Sequence, residues 1–102
     1  MGLDAVLEDE SGQRLGTVGD PGSLLVKLLT ANPDSSSVCL RFIDPYQVTT
    51  FNQRQMGSLI GEIESVAARA ATDDEKRILE AVVDLARRCA AEPHLYVRFY
   101  GD

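Results

Sequence analysis

The chain has 102 residues, of which 44% are apolar, and a formal net charge of −6. This length is typical of one domain, so we expect residues 1–102 to form a single domain with one two-layer core. Sixteen acidic residues against ten basic ones argue against a dedicated nucleic-acid binder, because phosphate binding needs a clustered basic surface. The negative charge would instead suit a basic partner.

Targeting signals are not evident in the sequence. Residues 1–10 contain neither a basic region nor an apolar run of signal-peptide length. No apolar stretch approaches the ~20 residues that a membrane span requires. We therefore expect a cytoplasmic protein that contacts no membrane. Cys39 and Cys89 fall within predicted core elements, which favours two buried free thiols over a disulfide.

The first two predicted elements form a β-hairpin. Leu3, Ala5 and Leu7 recur at every second position, which is the period of a strand. A turn with Gly12 leads into a second short strand at residues 14–18.

A short helix follows the hairpin. Asp20 can cap free backbone N–H groups at its start, and Pro21 has a φ angle suited to the first helical position. Four leucines supply a broad apolar face. The helix should stop before Asn32 and Pro33, and residues 34–37 should form a polar loop.

The sequence VCLRFI at residues 38–43 predicts the strongest strand of the chain. Alternation would direct Val38, Leu40 and Phe42 to one side and the intervening residues to the other. Asp44-Pro45 should end this strand, because proline cannot donate to the sheet ladder. Residues 46–51 are expected to be irregular or briefly extended.

Two longer helices and a final strand complete the chain. Thr50 or Asn52 can cap a helix over residues 53–71, in which Gly57 and Gly61 should pack closely against a neighbouring element. A capping box at residues 72–75 begins the third helix, which Pro93 ends. The last strand covers residues 95–100.

The predicted order is strand, strand, helix, strand, helix, helix, strand. Because strands and helices do not alternate regularly, this order favours an α+β two-layer sandwich. We expect a mostly antiparallel or mixed four-stranded sheet with three helices on one face.

Residues 40–42 and 97–99 are similar to each other, as Leu-Arg-Phe and Val-Arg-Phe. If the two strands are neighbours, the uncovered sheet face carries a group of arginines, tyrosines and acids: Cys39, Arg41, Tyr96, Arg98 and Tyr100, with Asp4, Val6 and Glu8 from the first strand. Arg41 and Arg98 could pair with the acids across the sheet. The same side chains could also recognise a partner, since Tyr and Arg are enriched at interface hot spots.

Polar side chains of several kinds crowd the segment after the predicted third strand. They are Asp44, Tyr46, Thr49, Thr50, Asn52 and Gln55. Two interpretations remain open: hydrogen bonds that lock the loop and cap the next helix, or a loop that forms a pocket or contacts a partner.

Searches for catalytic and metal motifs find no good candidate. The single histidine, His94, follows Pro93 and is best explained as a polar turn residue. A Cys-His nucleophilic pair would need an exposed, activated thiol, whereas both cysteines are predicted to lie in the core. The sequence shows no Cys/His spacing of a metal site and no phosphate-binding loop. We therefore predict no cofactor and no metal.

The strings RFIDPY, TTFNQRQ and EPHLYVRFYGD resemble those of a group of small, uncharacterised bacterial α+β proteins. This resemblance covers most of the chain and implies no activity. In size, charge and fold class the chain is also similar to small acidic immunity proteins, which neutralise toxins.

The first functional hypothesis is a non-catalytic protein–protein interaction module, with an immunity-type inhibitor as one possible form and a homodimer left open. Its candidate contact residues are Arg41, Asp44, Tyr46, Asn52, Gln55, Tyr96, Arg98 and Tyr100. The alternative is a small-ligand-binding or minor enzymatic domain that uses the segment from Asp44 to Gln55 together with His94.

Overall fold

The computed structural model describes residues 2–30 and 36–102 as a two-layer α+β fold. Three α-helices cover one face of a four-stranded antiparallel sheet. The strands are β1 (Leu3–Asp9), β2 (Arg14–Val18), β3 (Val48–Asn52) and β4 (Leu95–Gly101), and the helices are α1 (Leu24–Thr30), α2 (Met56–Ala68) and α3 (Asp73–Ala91). The predicted fold class and element order are confirmed. The predicted stop at Asn32-Pro33 and the first half of the loop at 34–37 lie outside the described residues.

The strand order in the sheet is β2-β1-β4-β3. β1 and β4 are the inner strands and pair over their full length, from Leu3 opposite Gly101 to Asp9 opposite Leu95. β2 and β3 are therefore the two edges.

The core lies between the sheet and the helices. β1 directs Leu3, Ala5 and Leu7 into it, as the alternation predicted. Phe99 of β4 is fully buried there, and its ring meets Phe51 edge to face at a centroid distance of 5.9 Å. Burial of each such large apolar side chain contributes ~1.5–3 kcal/mol.

Asp20 organises the start of α1, as the sequence predicted. Its carboxylate accepts the backbone N–H groups of Leu25 and Val26, and it also accepts the N–H of Leu3 at 2.9 Å. One side chain thus caps a helix and ties it to the beginning of β1.

The start of α3 follows the predicted capping box in part. The Thr72 hydroxyl accepts the N–H of Glu75 at 3.1 Å, as predicted. The Glu75 carboxylate, however, accepts the N–H of Ala71 at 3.0 Å, one residue before the position that the motif would give.

The predicted strand at residues 38–43 is wrong. Leu40–Phe42 is a short 3-10 turn, closed by bonds from Phe42 N–H to the Cys39 carbonyl and from Ile43 N–H to the Leu40 carbonyl. The buried residues are 39, 40 and 43, which is the spacing of a helical turn rather than of a strand. The third strand lies instead at Val48–Asn52, in the segment expected to be irregular or briefly extended.

The predicted close packing at Gly57 and Gly61 is also wrong. Among the described residues, no neighbouring element has an atom within 4 Å of a Cβ added to either glycine, and both lie on the exposed side of α2. Gly101 of β4 is the contrasting case, since a Cβ there would lie 2.5 Å from the carbonyl carbon of Pro45.

We expect Gly61→Ala to stabilise the protein by about 0.5–1 kcal/mol, because alanine removes the entropy cost of a glycine inside a helix. The free energy of unfolding in urea measures this change. Gly101→Ala is the opposite control and should destabilise by about 1–3 kcal/mol, since the turn at Pro45 must move. A loss of stability in Gly61→Ala would contradict the open surroundings of that position.

Candidate functional site

The sheet face opposite the helices is open, and most of the side chains that β1, β3 and β4 place on it are polar or aromatic. These side chains are Asp4, Val6 and Glu8 of β1, Tyr96, Arg98 and Tyr100 of β4, and Val48, Thr50 and Asn52 of β3. The β1 and β4 members were all predicted to lie on this face.

Glu8 is the centre of this open face. Only 2% of its surface is exposed, and both carboxylate oxygens are engaged. Arg98 donates to Oε1 at 2.9 Å, and the Tyr100 hydroxyl donates to Oε2. A side-chain hydrogen bond with Tyr100 raises the pKa of Arg98, and the charge of Glu8 raises it further. The predicted pairing of Arg98 with an acid of the first strand is confirmed.

Aromatic rings extend this charge network. Tyr100 lies opposite Asp4 in the register, yet its hydroxyl reaches Glu8, so its ring must cross the intervening Val6. Val6 is accordingly fully buried on a face that no helix covers. The guanidinium of Arg14 stands 5.1 Å from the centroid of the same ring. These contacts hold the side chains of the open face in fixed positions.

We expect Glu8→Ala to destabilise the protein by about 1–3 kcal/mol, because the Arg98 guanidinium and the Tyr100 hydroxyl would lose their shared partner. Asp4→Ala, on the exposed part of the same strand, should change stability by less than about 0.5 kcal/mol. Unfolding in urea measures the change in the free energy of unfolding for each variant. Equal effects of the two substitutions would show that the network adds no stability.

Arg41 does not lie on the open face, which corrects the prediction. It belongs to the 3-10 turn and not to a strand, so it cannot stand beside Arg98. Its guanidinium is 4.6 Å from the centroid of the Phe42 ring. Cys39, expected on the same face, is buried in the core.

A single carboxylate holds the backbone before this turn. Glu62 of α2 accepts the N–H groups of Val38 and Leu40 at 2.9 Å each and that of Cys39 at 3.3 Å. The Ser37 hydroxyl accepts the next N–H, that of Arg41, at 3.0 Å. Four consecutive N–H groups thus have side-chain partners, so this segment has no need of a neighbouring strand.

The chain from Asp44 to Gln47 is a second fixed turn. Asp44 Oδ1 accepts the Tyr46 N–H at 2.8 Å, and the Asp44 N–H donates to the Thr49 hydroxyl at 2.9 Å. The Gln47 carbonyl accepts the Gly101 N–H at 2.9 Å. The predicted loop-locking role of Asp44 is therefore confirmed.

Asn52 and Gln55 form a reciprocal cap at the start of the second helical region, as was predicted for Asn52. Asn52 Oδ1 accepts the N–H of Arg54 at 3.0 Å, and Gln55 Oε1 accepts the N–H of Asn52 at 2.8 Å. The two side chains thus have a structural role. Their contact with a partner stays a prediction.

The segment from residue 38 to residue 48 carries most of the exposed apolar side chains. Of the five large ones in the part of the chain that the structure describes, four belong to it: Val38 (54% exposed), Phe42 (58%), Tyr46 (65%) and Val48 (54%). The sequence pattern had assigned Val38 and Phe42 to the core. The spacing of Cys39, Leu40 and Ile43 also fits a helical turn, but over six residues it does not exclude a strand.

The residues of the alternative hypothesis do not meet. Asp44 lies near the Gly101 end of β4, whereas His94 directly precedes the other end of that strand. Seven residues of strand separate the two ends by about 20 Å. His94 has a positive φ of 66°, as a turn residue, and its Nδ1 lies 3.3 Å from Glu10. Tyr46 lines a cavity against α1 that includes neither Asp44 nor Asn52.

Both cysteines are free and buried, as predicted. Burial, together with the nearby charge of Glu62, raises the pKa of the Cys39 thiol to about 11. Burial also raises the pKa of Cys89.

We expect neither thiol to react with DTNB at pH 8 in the folded protein, because the thiolate is the reactive form. Both should react once guanidinium unfolds the chain. The raised pKa of Cys39 also adds to the free energy of unfolding below about pH 9. This contribution is lost as the pH rises towards about 11. Rapid labelling of the folded protein at pH 8 would contradict the burial of the thiols.

Within residues 2–30 and 36–102, no group of three or more His, Cys, Asp or Glu side chains could hold a metal ion. No helix in these ranges has the length and apolar character needed to cross a membrane. Comparison of the chain with protein-family models, with curated proteins and with solved structures gave no match.

Proposed function

We propose that this protein is a non-catalytic protein-binding domain that recognises a basic partner through the segment 38–48 and the adjoining open sheet face. The observation that carries the proposal is the concentration of four large exposed apolar side chains on that one segment. Apolar residues in contact with water cost free energy, and clusters of them are typical of interaction sites.

The fixed backbone of this segment supports the proposal. Glu62 anchors residues 38–40, and the N–H groups of Asp102 and Gly101 bind the carbonyls of Pro45 and Gln47. A surface that is already ordered loses little conformational entropy on binding, so its exposed rings contribute more to affinity. The pairing of Arg41 with the Phe42 ring combines two side-chain types that are enriched at protein interfaces.

The charge of the chain supports the choice of partner. A net charge of −6 favours the approach of a basic protein and speeds its association. An immunity-type inhibitor of a basic toxin is one form that such a domain could take. Two free buried thiols are consistent with work in the cytoplasm, where disulfides are rare.

The test compares the wild type with the double variant Phe42→Ser/Tyr46→Ser. Each tagged protein is incubated with an extract of the source cells, and the retained proteins are quantified by mass spectrometry. We expect a basic protein that the wild type retains and that the double variant binds at least about thirtyfold more weakly, the loss that corresponds to one hot spot of ~2 kcal/mol. Higher salt should weaken its capture.

Leu15→Ser is the matched control, since Leu15 is the fifth large exposed apolar residue and lies on the other edge strand. This variant should retain the same protein as the wild type. Thermal unfolding confirms that all three proteins are folded. Equal retention by wild type and double variant, or no retention by the wild type, would refute the proposal.

A further inference from the structure

The two edges of the sheet differ in how they are protected. On β2, a register irregularity opposite Leu7 and Glu8 interrupts the ladder, and the strand carries the charged Arg14. The Arg88 guanidinium also donates to the Leu15 carbonyl at 3.3 Å. Bulges, charges and covering groups of this kind prevent an edge strand from pairing with another chain.

The β3 edge has fewer of these protections, since a covering side chain reaches it only at the Asn52 N–H among the described residues. Its sequence, VTTFN, contains no charge and no proline, and its register with β4 is regular. Among the described elements, only β4 packs along it to any extent. An uncharged, regular strand with an open edge is a template for a further strand.

The register with β4 shows which backbone groups of β3 point outward. The N–H of Gly101 donates to the carbonyl of Gln47. These two residues would form the next pair of the β3–β4 ladder beyond Val48 and Tyr100. In an antiparallel ladder such bonded pairs alternate, so the N–H and C=O groups of Thr49 and Phe51 also point to β4. Those of Val48, Thr50 and Asn52 point away from it. The Asn52 N–H is already bound by Gln55.

We propose that a second copy of this chain pairs with β3 along this edge, antiparallel and about a two-fold axis at Thr49. In this register Val48 of each copy lies opposite Thr50 of the other. Each Val48–Thr50 pair exchanges two hydrogen bonds. The two-fold axis generates two such pairs, and therefore four hydrogen bonds join the two copies. These bonds use every outward N–H and C=O group of Val48 and Thr50, with none left over.

The charge distribution allows a second copy to pair at this edge. Each chain carries −6, yet the two would meet along a strand that has no charge. Asp44 lies in the turn just before β3 and Arg54 in the 3-10 helix just after it, so the axis places the Asp44 turn of one copy and Arg54 of the other at the same end of the paired strands.

The dimer would join two four-stranded sheets into one of eight strands and place the two open faces side by side. The dimer shares Val48 and the neighbouring Tyr46 with the segment proposed to recognise a basic protein. The two proposals are still tested separately, because sedimentation measures the dimer and capture from an extract measures the partner.

Charge reversal tests the pairing and its register together. The variant Val48→Lys/Thr50→Lys sets lysines opposite lysines across the axis, and Val48→Glu/Thr50→Glu does the same with glutamates. Both positions are exposed, so each chain should still fold. Sedimentation velocity from about 10 µM to about 1 mM, the range of weak interfaces, gives the mass.

We expect the wild type to change from monomer to dimer with rising concentration, and each double variant alone to stay monomeric. An equimolar mixture of the two variants should dimerise again, because each lysine then faces a glutamate. Thr17→Lys, on the other edge strand, should dimerise like the wild type.

Oxidative cross-linking gives a second readout. The Cα atoms of two opposed Thr49 residues in a non-bonded pair would lie about 4.5 Å apart, within disulfide range. Thr49→Cys should therefore form a covalent dimer on mild oxidation, and Thr17→Cys should not.

Three results would overturn the proposal. One is a wild type that stays monomeric throughout, which would leave the edge to a segment of another protein or to no partner. The second is a dimer that persists in both double variants. The third is a mixture of the two variants that remains monomeric although the wild type dimerises.

Discussion

The pairing of β1 with β4 is the interaction on which the rest of the structure depends. It joins residues about ninety positions apart in the chain, from Leu3 and Gly101 to Asp9 and Leu95. On the helix side it brings Ala5 to Phe99 at the centre of the core, and on the open side it brings Glu8 within reach of Arg98. Both edge strands attach to this pair. The core and the open face are thus two sides of one ladder.

Much of the fold follows from local signals. The hairpin, the last strand and the three helices have clear periodicity, and the aspartate at position 20 and the threonine at position 72 cap helices as their chemistry predicts. The third strand could not be placed this way. Residues 38–43 have strand-like composition, yet a carboxylate more than twenty residues further on binds three of their N–H groups. This is a tertiary contact that overrides a local preference.

The candidate site was predictable to the same extent as the elements that carry it. Tyr96, Arg98 and Tyr100 were placed on the open face because a strand alternates, and the cap of Asn52 and Gln55 follows from their spacing of three. Arg41 and Phe42 were misplaced together with their strand. Over only six residues, a strand and a helical turn can share the same pattern of apolar residues. They differ only in which of those side chains are buried. The sequence does not show this until the partners of the turn are known.

The contact between Gly101 and the backbone at Pro45 has a consequence for the order of folding. The turn at residues 44–47 accepts hydrogen bonds from β4 and closes only against a residue without a side chain. The turn therefore cannot adopt its final structure until the strand at residues 95–101 has joined the sheet. Contacts between such distant residues form late, because the closure of a long loop must precede them. During synthesis the exposed rings near this turn would stay unfixed until β4 is made, so a partially made chain would lack the ordered surface.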